Sequence, residues 1–184
     1  GPIDDALQRP DTLIEVRLIE LLKGHIEQHR PDVVGITIPF PGNLYAALKC
    51  GQFIKKTFPP VKIVAGGGFV NTELRELSEP AIFNYVDFIT LDEGELPFLN
   101  ILSSLHGEKN AGALTRTFIR VENEVHYNDD KGRELSSSET GCPDYSDLPL
   151  DRYLSLIEIA NPMHRLWSDG RWNKLTVAHG CYWK

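Results

Sequence analysis

Three short stretches carry residue types that can do chemistry. Gly66-Gly67-Gly68 sets three glycines in a row. A backbone without Cβ atoms lets a ligand come close, and the same run also suits a tight strand-to-helix turn. It is not the dinucleotide fingerprint, because Gly66-Gly67-Gly68-Phe69-Val70-Asn71 lacks the G-x-G-x-x-G order, and it lacks a phosphate-binding Lys. Asp92, Glu93 and Glu95 cluster around Gly94. Such carboxylates can act as general acids or metal ligands, or can complement the dipole at the start of a helix; for Glu95 the helix start is favoured. The third stretch is His179-Gly180-Cys181, trailed by Tyr182 and Trp183. Taken alone, Cys181 reads as a buried thiol. Cys50 falls in an expected helix as a small apolar residue, and Cys142 falls in a connector with no evident partner. His25 and His29 stand four apart on a helix with no third ligand nearby, which suits a solvent-facing pair.

The elements around these stretches alternate. Thr12 and Glu15 have capping-box spacing. Leu13, Ile14, Val16, Leu18, Leu21, Leu22 and Ile26 then predict a helix with a broad apolar face, stopped by Pro31. The run 33–38 is apolar on both faces, as suits a parallel strand buried under helices on both sides. A helix over 44–58 follows, with Leu44, Leu48, Phe53 and Ile54 as buried candidates, and Pro59-Pro60 breaks it. A strand over 61–65 leads into the glycines, and a short helix is expected from Asn71 to near Pro80. A third strand over 86–91, the acidic loop and a helix over 96–105 complete the rhythm. The pattern predicts an α/β fold with a parallel sheet and right-handed crossovers. The loops at 37–43, 66–71 and 92–95 then fall on the carboxyl edge, where such sheets bind ligands. Residues 116–121 and 124–127 predict an antiparallel hairpin turning at Glu122-Asn123. A polar linker, an Asp- and Pro-rich connector and a short last strand at 175–178 follow.

Composition narrows the function classes. The chain has 184 residues, a little more than one domain at about 150 residues each. Lys plus Arg is 19 against 26 Asp plus Glu, for a net charge of −7, which argues against general binding to nucleic acid or an anionic membrane. The 41% apolar and 24% charged content argues against a disordered chain. No apolar run approaches the roughly 20 residues of a membrane helix, and no signal-peptide pattern opens the chain. Three cysteines spaced far apart exclude a disulfide scaffold and fit a reducing, cytoplasmic setting.

In order and spacing these segments resemble the cobalamin-binding radical S-adenosylmethionine family. Residues 31–37 are similar to that family's PDvVGiS strand, 63–68 to its vvvGGgh strand and turn, and 86–95 to its vDyvvrGEGE signature. Residues 143–153 resemble the connector to the radical domain, and 175–183 resemble the first barrel strand and the start of a CxxxCxxC cluster loop. The resemblance implies a Rossmann-like or flavodoxin-like cobalamin-binding domain over 1–127, a connector over 128–173 and the truncated start of a radical barrel over 174–184. In such enzymes three cysteines hold a [4Fe–4S] cluster whose open iron takes S-adenosylmethionine, and the reduced cluster generates a 5′-deoxyadenosyl radical.

Cys181 matches the first cluster cysteine, and the second would lie one residue beyond Lys184. The chain is therefore expected to be an inactive fragment lacking its first strands, with Gly1-Pro2 as a cloning scar. The intact protein would carry cluster and S-adenosylmethionine, and would transfer a methyl group from methylcobalamin or form a ring on an unknown substrate. No D-x-H-x-x-G cobalt-ligand motif occurs. On this resemblance Thr37 would bond the nucleotide tail of cobalamin, Gly66, Gly67 and Gly68 would lie against the tail or its base, and Glu93 and Gly94 would line the far side. The alternative is a flavodoxin-like binding or scaffold domain that has lost cobalamin. A receiver domain would need clustered aspartates after its first strand and a Lys after its last, and Gly66-Gly67-Gly68 and Asp92-Glu93-Gly94 do not fit that. The open edge and the apolar helix stripe lead to the expectation of a homodimer of the fragment.

Overall fold

A computed structural model describes residues 1–107, 114–129, 139, 141, 144 and 146–148. One compact unit runs Gly1–Gly141 and a second runs Cys142–Lys184. Calls on 142–143, 149–184 and most of 130–140, including Cys142, the last strand and Cys181, lie outside the described residues.

The helix expected after Thr12 is present as α2 (Leu13–His29), preceded by a short α1 (Pro2–Leu7). The capping box is complete: Glu15 N–H donates to Thr12 Oγ1 at 3.3 Å and Thr12 N–H donates to Glu15 Oε2 at 2.6 Å. Arg30, left-handed at φ 46°, ends α2 before Pro31. α1 was not expected from the polar opening of the chain. Its anchors are Leu7, buried with Leu48 and Tyr85, and the Tyr85 hydroxyl, which donates to Asp4.

Among the described residues five strands form one sheet in the order β1 (Val33–Thr37), β2 (Lys62–Gly66), β3 (Phe88–Thr90), β4 (Thr117–Val121), β5 (Glu124–Asn128). β1, β2 and β3 are parallel neighbours, and β3, β4 and β5 run antiparallel. The expected hairpin therefore extends the main sheet rather than standing apart, through Ile89 opposite Phe118. α3 (Leu44–Thr57) joins β1 to β2, α4 (Gly68–Glu73) lies between β2 and β3, and α5 (Glu95–Leu105) follows β3. A 3-10 turn over Pro41–Asn43 leads into α3.

Side chains alternate across a strand, and the core divides accordingly. Ile63, Ala65, Ile89 and Phe118 face one side, with Ile26 of α2, Ala47 and Ile54 of α3 and Val70 of α4. Val64 faces the other, with Ile101 of α5 and Leu114. This is a Rossmann-like α/β arrangement with helices on both faces.

Two expectations need correction. β1 is not buried on both faces: Gly35 and Thr37 are exposed, because β1 is the edge strand of the described sheet. The short helix begins at Gly68 rather than Asn71, because Gly67 makes the turn. The α2 stripe is wide but mostly uncovered. Ile26 is buried, whereas Leu13 is 84% and Ile14 81% exposed.

Candidate functional site

The loops that follow β1, β2 and β3 share an edge because the strands share a direction. Thr37 and Gly66 are direct register partners. Backbone bonds join the two loops, with Ile38 N–H donating to Gly66 O at 2.7 Å and Phe69 N–H donating to Ile38 O at 3.0 Å. The edge thus brings Thr37 and Gly66 to Gly68 together.

Gly67 has φ 108°, a conformation that side chains rarely adopt. A Cβ there would stand 2.9 Å from both Ile38 N and Ile38 O. A Cβ on Gly66 would meet Thr90 Oγ1 at 2.8 Å, and one on Gly68 would meet Pro39 O at 3.1 Å. The chain itself thus accounts for the absence of side chains in this turn. The close approach expected of a ligand is made by the β1 loop.

The acidic stretch reaches the same edge through two residues that the sequence did not single out. Asp92 N–H donates to Asn71 Oδ1 at 2.6 Å, and Asn71 Nδ2 donates to Asp92 O at 3.3 Å. The Arg75 guanidinium pairs with the Asp92 carboxylate. Asp92 is left-handed at φ 59°, which Asp tolerates better than most residues. Asp92 is therefore committed to Arg75 within the fold, while Glu93 and Gly94 are exposed beside it. Glu95 opens α5, where a carboxylate complements the dipole. Around Gly94 a Cβ would meet nothing within 4 Å. The one signal for Asn71 was its type. An Asn side chain just past a glycine turn can mimic backbone and bond a neighbouring loop.

Asp87 was read only as part of a motif. Its carboxylate accepts from Ile63 N–H at 2.9 Å and pairs with Lys55 at 3.0 Å, so it joins the starts of β2 and β3 to α3. Both bonds are structural. They lie at the opposite ends of the strands from the glycine loop.

Among the described residues no group of three or more His, Cys, Asp or Glu could hold a metal ion. His25 and His29 stack with ring centroids 6.0 Å apart and are exposed, as a solvent-facing pair would be. Cys50 is half-buried, and desolvation raises its thiol pKa. Among the described residues no helix is long and apolar enough to cross a membrane.

Fold and edge define a Rossmann-like α/β unit whose loops gather at the carboxyl ends of a parallel sheet. A solved structure of the radical S-adenosylmethionine methyltransferase TsrM from Kitasatospora setae, with tryptophan substrate and a SAM analog bound, is similar to it at 13% identity and a TM-score of 0.49. That likeness covers 62% of this chain and 22% of the other. No protein-family model and no curated protein matches the chain.

Proposed function

We propose that the chain is the cobalamin-binding part of a larger, cytoplasmic radical S-adenosylmethionine enzyme, a methyltransferase or a ring-forming enzyme. One observation carries the reading. Thr37, Gly66 to Gly68 and Glu93-Gly94 follow three parallel neighbouring strands and share one edge, which is the edge that takes ligands in open α/β sheets. Bound methylcobalamin supplies a transferable methyl group.

The residues present fit the group unevenly. Thr37 is exposed on the edge strand with its methyl group against the Gly67 turn, and Gly94 has open space around it. Gly67 fits as a packed turn rather than as a ligand-facing surface. The described strand order also runs without reversal, whereas a binding crevice opens where the order reverses. The reading therefore calls for a further strand beside β1, which makes the intact protein the material to test. In that protein Cys181 is the first ligand of the [4Fe–4S] cluster, which holds S-adenosylmethionine. Self-association through the exposed Leu13 and Ile14 of α2 belongs to the same reading, and light scattering of this chain tests it.

A scaffold that has lost cobalamin is the second reading. It is favoured by the way Ile38 fills the space a Gly67 side chain would need. Visible-absorbance titration of the intact protein with cobalamin separates the two: saturable binding supports the first, and no binding supports the second.

A further inference from the structure

A cleft of about 380 Å³ lies between α1, the α1–α2 link, α2 and α3. No strand among the described residues contributes to it, so it is distinct from the carboxyl edge. Its size falls in the roughly 300–1,000 Å³ range of small-molecule sites.

Charge makes this cleft unusual. In a chain of net charge −7, its lining among the described residues holds three cations, Arg9, Lys49 and Lys56, against one carboxylate, Asp11. Lys49 and Lys56 are seven apart on α3, so they share a face about two turns apart. The Lys49 side chain is only 7% exposed and pairs with Asp11 at 2.6 Å. Glu15 also feels Lys49, but its carboxylate is taken by Thr12 and Tyr45. Arg9 and Lys56 make no ion pair among the described residues and are exposed. Leu7, Ile19 and Phe53 supply an apolar wall. Gln52 Nε2 donates to Leu7 O at 3.3 Å and so holds the end of α1 against α3.

We propose that this cleft binds a small phosphate monoester with an apolar body. The net charge of two on the lining matches a phosphate dianion. Arg9 offers a planar fork to its oxygens and the two lysines act as point charges. The apolar wall takes the ring or short alkyl group of the ester, and Asp11 orients Lys49.

NMR titration of the isotope-labelled chain with phenyl phosphate tests the proposal. Saturable shifts are expected at Arg9, Lys49 and Gln52, with weaker binding of inorganic phosphate and none of phenol. Arg9→Glu and Lys56→Glu should each weaken phenyl phosphate about tenfold, or about 1.4 kcal/mol. Both positions are exposed, so unchanged spectra elsewhere confirm the fold. The proposal is overturned by any of three results: no shifts at these residues at about 10 mM ligand, reversal variants that bind as the wild type does, or equal binding of inorganic phosphate and the ester.

Discussion

The side-chain amide of Asn71 holds both backbone groups of Asp92, accepting from its N–H at 2.6 Å and donating to its carbonyl at 3.3 Å. Two loops with no sequence proximity are thereby locked into one edge. Asn71→Ala removes both bonds, and Asp92 must then hold its left-handed conformation with Arg75 alone. A loss of about 1–2 kcal/mol is expected in urea unfolding. Asn71→Asp keeps the acceptor and loses the donor, so it should fall between Ala and the wild type.

The glycine turn gives a sharper contrast. Gly67→Ala meets a positive φ and the Ile38 backbone at 2.9 Å, so it should destabilise by at least about 1–3 kcal/mol. Gly94→Ala has open space and φ −76°, and it should change stability by no more than about 0.5 kcal/mol. Thermal melts of the two variants check this. Equal effects would contradict the packing described for Gly67.

Much of this was legible in the residues. The capping box at Thr12 and Glu15, the helix over α3 and the alternating strands all follow from local chemistry, and the structure contains them. The loops at Thr37, Gly66 and Glu93 were assigned to one edge by strand direction alone. Tertiary contact hid the rest. α1 depends on Tyr85 reaching Asp4 across 81 positions, and no local pattern announces that. The exposure of β1 depends on its place at the sheet edge, since apolar runs look the same at an edge and in the middle of a sheet. Asn71 and Arg75 matter only because the chain brings Asp92 beside them.

The capping box should leave a signature in acid. Hydrogen bonds from the Thr12 side chain, the Tyr45 hydroxyl and the Thr12 N–H hold the Glu15 carboxyl at a pKa of about 2, below its ordinary 4.5. The folded state prefers the ionised form, so this contribution is present above pH 4.5 and is lost as pH falls towards 2. Glu15→Gln should flatten the acid side of the stability profile across that window. Urea midpoints measured through the window check it, and an unchanged slope in Glu15→Gln would contradict the assignment.

If Cys181 opens a cluster loop, the gene should encode a cysteine directly after Lys184 and another three residues later. Sequencing the complete reading frame checks this. A frame that continues without them would contradict the radical-enzyme reading while leaving the fold intact.

Cobalamin at the edge shared by Thr37, Gly66 to Gly68 and Gly94 is the proposal on which the functional reading rests. Visible-absorbance titration of the intact protein with cobalamin, run beside Gly94→Phe and Gly24→Ala, tests it. Gly94→Phe projects a ring into open space at the edge, whereas Gly24→Ala adds a methyl on exposed α2 where nothing lies within 4 Å. Saturable binding is expected in the wild type and in Gly24→Ala, with at least about tenfold weaker binding in Gly94→Phe. Binding that is absent in the wild type, or equal in all three proteins, would overturn the proposal.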